Sequence, residues 1–454
     1  MSLNYLTQGN VYKKLIQFAG PFLLAQLLQS LYGAADMLTV GNFATTADVS
    51  GVTIGSQVMM IFTQFIIGLT MGITVLLGQY MGSKNHKALA ETMGITIITF
   101  TIIGIVLTAG LLLGRDTIVS LMNTPQESVA NTQAYLFYCS MGAFFITGYN
   151  VVCGIMRGLG DSKSPLLFVA IACVVNVVLD IVLIRYFGMG AAGAAIATTL
   201  AQAVSFLFSV AFLIRRGLGF AFSMKDIRFH KEQFRQLFKV GIPLGIQDIL
   251  VGVSFLLIVA IVNPFGVVAS ASVGVVEKLV EFLFLVPIAM NAAVSAMVAQ
   301  NYGAGEYERT RKCLRAAVWM TGGYGFLIAA YCQFFGTTLT GMFSSDAEVM
   351  NLAATYLQSY SWDIFLAGIV YCLGGYFNGY GRTIFNMTQN LAATFLARVP
   401  LALLLRQTIG TSLFAMGLAS PVSTIASLVI CLIYLKKMNA AYDTRTLGEA
   451  AQAA

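Results

Sequence analysis

The sequence predicts an all-α integral membrane protein: twelve transmembrane helices in two six-helix lobes, related by a pseudo-two-fold axis along the membrane normal. Three observations predict it. Only 10% of the 454 residues are charged and 58% are hydrophobic, whereas an ordinary soluble chain is about a quarter charged. The apolar runs reach the roughly 20 residues that a spanning helix needs, and the alternating strands of a membrane barrel are absent. Finally, the two halves of the chain resemble each other at a fixed shift.

Taken in order, the apolar segments start near residues 11, 52, 93, 132, 165, 190, 241, 269, 316, 350, 385 and 411. With the first segment entering from the cytoplasm, twenty-one of the 26 basic residues lie on the inner side. They range from Lys13 and Lys14, through Lys84, Lys87 and seven between Arg215 and Lys239, to Lys437 and Arg445. The outer loops hold only Arg115, Arg185 and Arg406. This positive-inside bias places both termini in the cytoplasm. The hydrophilic stretch near the middle divides the chain into an N-terminal lobe (1–214), a cytoplasmic linker (215–240), a C-terminal lobe (241–437) and a cytoplasmic tail (438–454).

The repeat is specific. At a shift of 221, Gln79 matches Gln300, Gly82 matches Gly303, and Tyr135-Leu136 matches Tyr356-Leu357. At the same shift Gly154, Gly158 and Gly160 match Gly375, Gly379 and Gly381, while Pro21 matches Pro243 at 222. Agreement over such a length indicates duplication. Six helices per half is an even number, so both halves enter the membrane in the same sense, with the transport route between them.

Individual segments carry further signals. Pro21 and Pro243 each remove a backbone hydrogen bond near the inner ends of segments one and seven. The Gly-x-x-x-Gly pairs Gly68/Gly72 and Gly375/Gly379 favour close helix packing. On segment eight Glu277 and Glu281 share a face, and Lys278 can reach Glu281 at three residues' spacing. That cluster is either an acidic face attracting cationic substrate or a self-neutralised structural group. Asp363 and Arg398 lie at similar depth in neighbouring segments and are expected to form an ion pair bracing the second half.

The first half holds the acids that matter most. Asp36 is the only acid in the apolar stretch Leu15 to Val40, and Asp180 lies in the apolar run from Pro165 to Ile184. An intramembrane carboxylate costs roughly 2.5 to 3.5 kcal/mol on insertion scales. Asn176 shares a helix face with Asp180, and the helix rise puts Asp36, Asn176, Asp180 and Thr198 in one outer layer. In the duplicated half Asp36 falls opposite Leu257 or Ile258, Asn176 opposite Ala397 and Asp180 opposite Leu401. Two carboxylates at that depth without a basic partner either share a proton or hold a cation. Two Asp, an Asn carbonyl and a Thr hydroxyl are hard oxygen ligands suited to Na+. The alternative for Asn176 and Thr198 is plain hydrogen bonding between neighbouring helices.

Other function classes fit less well. The basic residues sit where topology uses them, not in a nucleic-acid patch. Seven cysteines without a C-x-x-C pair suggest neither a disulfide framework nor a metal site. His86 and His230 are both in basic loops, so a membrane-embedded enzyme would lack an intramembrane His. The N-terminus has no cleavable signal pattern.

The stretch Tyr32-Gly-Ala-Ala-Asp36-Met-Leu-Thr-Val-Gly-Asn42 after Pro21 resembles the opening of the MATE (multidrug and toxic compound extrusion) family. So do Gly78-Gln-Tyr-Met-Gly82 with its twin Gln300-Asn-Tyr-Gly-Ala-Gly305, the Arg157-Gly-Leu-Gly-Asp161 turn, and Asn176-x-x-x-Asp180. The resemblance spans all twelve segments and is nearest to the DinF-type branch. It implies an exporter of organic cations and drugs with two lobes around a central cleft, driven by H+ or Na+ antiport and needing no other cofactor. It also implies a cation site in the N-terminal lobe at Asp36, Asn176, Asp180 and Thr198, bordered by Tyr135 and Asn150. Candidates for the substrate cleft are Gln29, Tyr32, Glu277 and Glu281. A second-lobe ion site, as in the NorM-type branch, has only approximate candidates in Asp248 and Asp363. The expected setting is a bacterial cell membrane, with lipid and small cations as partners and a functional monomer. The alternative within the wider superfamily is a flippase or exporter of a lipid-linked or other dedicated metabolite.

Overall fold

The computed structural model describes the backbone of residues 6–453 and the side chains of residues 6–440. The side chain of Arg445, counted among the inner basic residues, and the extreme ends of the stretches 1–214 and 438–454 lie outside the described residues. Helix accounts for 89% of the chain, and no strand occurs among the described residues. The first half holds α1 (Val11–Phe43), α2 (Thr46–Gly82), α3 (His86–Leu121), α4 (Gln126–Gly158), α5 (Lys163–Tyr186) and α6 (Gly190–Arg216). The second half holds α7 (Lys231–Phe265), α8 (Val267–Gly303), α9 (Tyr307–Thr340), α10 (Ala347–Gly379), α11 (Thr383–Ile409) and α12 (Leu413–Ala440). Eleven of these are long and apolar enough to cross a membrane. The other, α10, is as long but interrupts its apolar residues with polar ones, including Asp363. The chain is a multi-pass membrane protein.

Several helices begin earlier than the apolar runs suggest. α2 starts at Thr46, α7 at Lys231 and α9 at Tyr307. The added first turns carry Asp48, Glu232 and Glu308, acids that suit the positive end of a helix dipole. Such turns are polar, so hydropathy does not register them as part of a span.

By packing, the chain forms two compact units. The first comprises Met1–Ile249, Ala292–Cys313 and Asn378–Ile384; the second comprises Leu250–Asn291, Leu314–Phe377 and Phe385–Ala454. In the first unit α4 is the central helix, packed on α2, α3 and α6, while α5 lies between α1 and α6. Its core includes Ile66, Ile73, Leu77, Leu136 and Ile155. Close approach of α4 to α2 depends on small residues. A Cβ on Gly158 would sit 2.9 Å from Leu77 Cβ, and Thr74 Oγ1 donates to the Gly154 carbonyl at 3.0 Å. The second unit packs Ile258 and Ile261 of α7, Val273 and Val276 of α8, Leu357 of α10, Ala402 of α11 and Met416 of α12 around one core.

Candidate functional site

Three helices carry the acids and their partners, and local chemistry sets the position of each. α5 begins where Asp161 accepts from the Lys163 and Ser164 backbone N–H groups at 2.9 and 3.1 Å. Arg216, at the end of α6, also binds Asp161, fixing the start of α5 against α6. Burial works to raise the Asp161 pKa, but the hydrogen bonds from Ser164 and the Arg216 charge outweigh it and hold the carboxyl below its ordinary value. α6 in turn begins where Asp48 Oδ1 accepts from the Ala191 N–H at 3.0 Å. Gly190 there has φ +52°, and an added Cβ would sit 2.4 Å from Asp48 Oδ1, so only glycine leaves the carboxylate room. These anchors set the depth of Asn176, Asp180 and Thr198.

Asp36 on α1 is 7% exposed, Asn176 1% and Asp180 0%. Asn176 Nδ2 donates to Thr198 Oγ1 at 3.4 Å, a long bond. Asn176 Oδ1, Asp36 Oδ1 and both carboxylate oxygens of Asp180 are buried with no hydrogen-bond partner among the described residues. The charge of Asp36 is felt at Asp180, so the two carboxylates interact. Arg185, the basic residue nearest to Asp180 in sequence, instead stacks on Phe43 and Tyr186 at 5.0 and 5.8 Å. Directly after Asp180 the helix widens into a π-turn over Ile181–Tyr186, an irregularity often found at functional sites.

Buried polar atoms are ordinarily satisfied, and an unpaired buried charge costs several kcal/mol. Four orphaned oxygens from two interacting carboxylates and an amide are therefore a strong electrostatic demand for a positive charge. A proton shared by the carboxylates, or a small hard cation ligated by these oxygens, would meet it.

The surroundings separate the other candidates. Tyr32 and Tyr135 both sense the Asp36 charge, and Tyr135 packs its ring against Gly55, where a Cβ would be 2.3 Å from Cδ1. Asn150 is buried but donates to the Ile146 carbonyl of its own helix at 2.8 Å. Among the described residues it makes no hydrogen bond to the acids. Gln29, half-buried, shares a face of α1 with Tyr32 and Asp36. Sequence reasoning missed Gln202, which faces Tyr32 and whose Oε1 is also unpartnered. The signal was present: Gln202 lies four residues past Thr198 on the same helix face. Cys139 of α4 also lies beside this group, where it senses Asp36 and Tyr135.

The second unit holds a different arrangement. Glu277, Tyr356, Tyr360, Phe255 and Arg398 line a cavity of about 10 Å³, room for a single water. Arg398 lies over the Phe255 ring at 4.5 Å and acts electrostatically on Glu277 and Asp363. The expected Asp363–Arg398 ion pair does not form as a direct contact. Asp363 instead accepts from Thr424 at 2.5 Å. Similar depth did not mean mutual facing, because each residue turns toward a different neighbouring helix. Glu281 is exposed and pairs with Lys278 at 3.3 Å, while Glu277 is half-buried and faces Arg398, so the two acids are not one acidic surface. Asp248 of α7 is half-buried within the first unit.

Comparison with known proteins agrees with this architecture. The family model MatE matches residues 21–182 and again 243–404, once in each half and starting at the two aligned prolines. The probable multidrug resistance protein YpnP of Bacillus subtilis is 28% identical over 413 residues, covering 91% of this chain and 92% of its own. The multidrug export protein MepA of Staphylococcus saprophyticus is 23% identical, covering 98% and 99%. Among solved structures, an outward-facing MATE family multidrug resistance transporter of the MOP superfamily aligns with TM-score 0.91 at 19% identity, covering 97% of this chain and 98% of its own. A MOP superfamily transporter from Pyrococcus furiosus, described by the reverse polarity of its binding pocket, aligns at 0.90 and 20% identity, covering 96% and 97%. With its helical fold shared across nearly its whole length and the family model matched in both halves, this chain belongs to the MATE family of membrane transporters.

Proposed function

We propose that this protein is a secondary active exporter of drugs and organic cations in a bacterial cell membrane, driven by H+ or Na+ antiport. The coupling ion binds at Asp36, Asn176, Asp180 and Thr198, with Tyr32, Tyr135 and Gln202 bordering the site. The observation that carries the reading is the set of orphaned buried oxygens on two interacting carboxylates and Asn176. The names of the bacterial relatives support drug export. The composition of the site, all oxygen donors and no basic partner, supports a cation as the coupling ligand. We also hold to the DinF-type branch, to cytoplasmic termini and to a functional monomer.

Coupling follows from differential binding. An ion drives export only if it favours one conformational state over the other by a few kcal/mol. Ionised Asp36 and Asp180 repel each other in a buried layer, and loading with a positive charge removes that penalty. The loaded and unloaded site thus prefer different packings of α1 against α5, the helices that carry the two acids.

The test is efflux of a fluorescent organic cation from proteoliposomes under separate Na+ and H+ gradients, comparing wild type with Asp36→Asn and Asp180→Asn. Gradient-driven efflux in the wild type, lost in both variants, is the expected result. Unchanged gradient dependence in both variants removes these residues from coupling. Gradient dissipation without efflux of any organic cation points to a dedicated metabolite instead.

A further inference from the structure

The repeat has a consequence at the basic ends of α2 and α8. Gln79 Nε2 donates to the Gly379 carbonyl at 2.8 Å, and Gln300 Nε2 donates to the Gly158 carbonyl at 3.0 Å. Under the internal shift Gln79 corresponds to Gln300 and Gly158 to Gly379, so each glutamine of one repeat binds the carbonyl that ends the fourth helix of the other. The backbones interlock in the same reciprocal way. A Cβ on Gly82 would lie 1.9 Å from the Gln300 carbonyl oxygen, and one on Gly303 would lie 1.9 Å from the Gln79 carbonyl oxygen. Gly78 and Ala299, equivalent positions, meet each other, with 2.9 Å between an added Gly78 Cβ and Ala299 Cβ. All of these residues belong to the first compact unit. The turns that follow carry Lys84 and Arg382, and the first turn of α9 carries Arg309, residues that mark the cytoplasmic side by the positive-inside rule.

The Gln300 side chain has a second partner. Its Oε1 accepts from the Leu6 N–H at 2.9 Å, and Asn301 and Arg309 donate to the Leu6 carbonyl at 3.4 and 3.3 Å. Leu6 is 2% exposed, so its backbone is pinned onto the same crossing.

We propose that the reciprocal Gln79–Gly379 and Gln300–Gly158 bonds form a latch that holds the cytoplasmic end of the transport route shut, making Gln79 and Gln300 gating residues. The latch rests on the exporter reading, because only a protein that opens alternately to the two sides needs such a door. Its chemistry suits a door. It consists of two neutral side-chain hydrogen bonds and glycine contacts, so each bond is worth little alone. Glycines at Gly82 and Gly303 let the two backbones meet with no side chain to disengage. The two bonds are related by the repeat, so opening one breaks the setting of the other.

Hydrogen–deuterium exchange of the whole protein in nanodiscs tests this without any substrate, and so stands apart from the efflux assay. Gln79→Met and Gln300→Met keep length and bulk but remove the donor. Either replacement is expected to speed exchange about fivefold at both turns, 83–86 and 304–307, and the pair about twentyfold. Exchange in the α6 core, 191–201, stays as in the wild type. Faster exchange confined to the mutated residue's own turn, no change at either turn, or an equal rise in the α6 core overturns the latch.

Discussion

The two halves solve the same electrostatic problem in opposite ways. In the first half Asp36 and Asp180 interact in a buried layer where four oxygens have no donor. In the second half Glu277 and Asp363 have a nearby counter-charge: Arg398 acts on both, and Thr424 donates to Asp363. The family-model matches begin at 21 and 243 and end at 182 and 404. At that displacement Arg398 occupies the register of Asn176. One residue earlier, the shift read from the glycines places Ala397 there. In either register, the duplicated fifth helix carries a fixed cation beside the place where the first half carries an amide and its unpaired oxygen. A site that holds its own charge has no electrostatic need of an ion from solution; a site that lacks one does. The difference teaches that duplication preserved the scaffold and let the charge balance diverge.

The largest effect is expected from taking the second half's cation away. Arg398→Met takes the nearby positive charge away from Glu277 and Asp363, a loss expected to cost up to about 3 kcal/mol. Thermal unfolding in detergent should show a marked fall, partly restored by adding Glu277→Gln. An unchanged midpoint would mean that Arg398 balances nothing. The mirror experiment in the first half should differ in sign. Asp180→Asn removes an orphaned carboxylate without creating a new unpaired charge, so stability in ion-free buffer is expected to stay level or rise by about 1–3 kcal/mol, while gradient-driven efflux is lost. A destabilised Asp180→Asn protein would instead make Asp180 a structural residue.

How much of this was legible in the sequence follows from which forces leave a one-dimensional trace. The spans and the repeat did, because apolar length and glycine spacing are themselves linear patterns. Asp36, Asn176 and Asp180 stood out because lipid makes every polar residue conspicuous. The direction each side chain faces did not. Counting rise along α10 and α11 set Asp363 and Arg398 at one depth, yet rotation about the helix axes turns Asp363 to Thr424 and Arg398 to Phe255. The widened turn after Asp180 and the reciprocal glutamine bonds depend on neighbours distant in sequence, so no local pattern announced them. Asn150 was grouped with the acids by resemblance, while one N–H of its amide binds its own helix at Ile146.

Smaller effects sharpen the contrast. Thr198→Val removes one hydroxyl that accepts only a 3.4 Å bond. It is expected to weaken ion affinity about two- to fivefold, on the scale of a single weak hydrogen bond, with efflux still gradient-dependent; a complete loss of coupling would raise Thr198 to the rank of the acids. At the far end of the scale stands Lys278–Glu281, a pair whose side chains are 68% and 54% exposed. Lys278→Gln should change unfolding by no more than about 0.5 kcal/mol, and a larger loss would place this pair with Glu277 in the charge balance of the second half.

The most direct measurement is ion binding to purified protein: proton release by sensitive titration and radioactive Na+ retention, for the wild type, Asp36→Asn/Asp180→Asn, and Glu277→Gln. The account predicts that the wild type and Glu277→Gln take up the ion to the same extent, and that the double variant takes up none at the site. Full ion binding by the double variant, or its loss in Glu277→Gln alone, would contradict it.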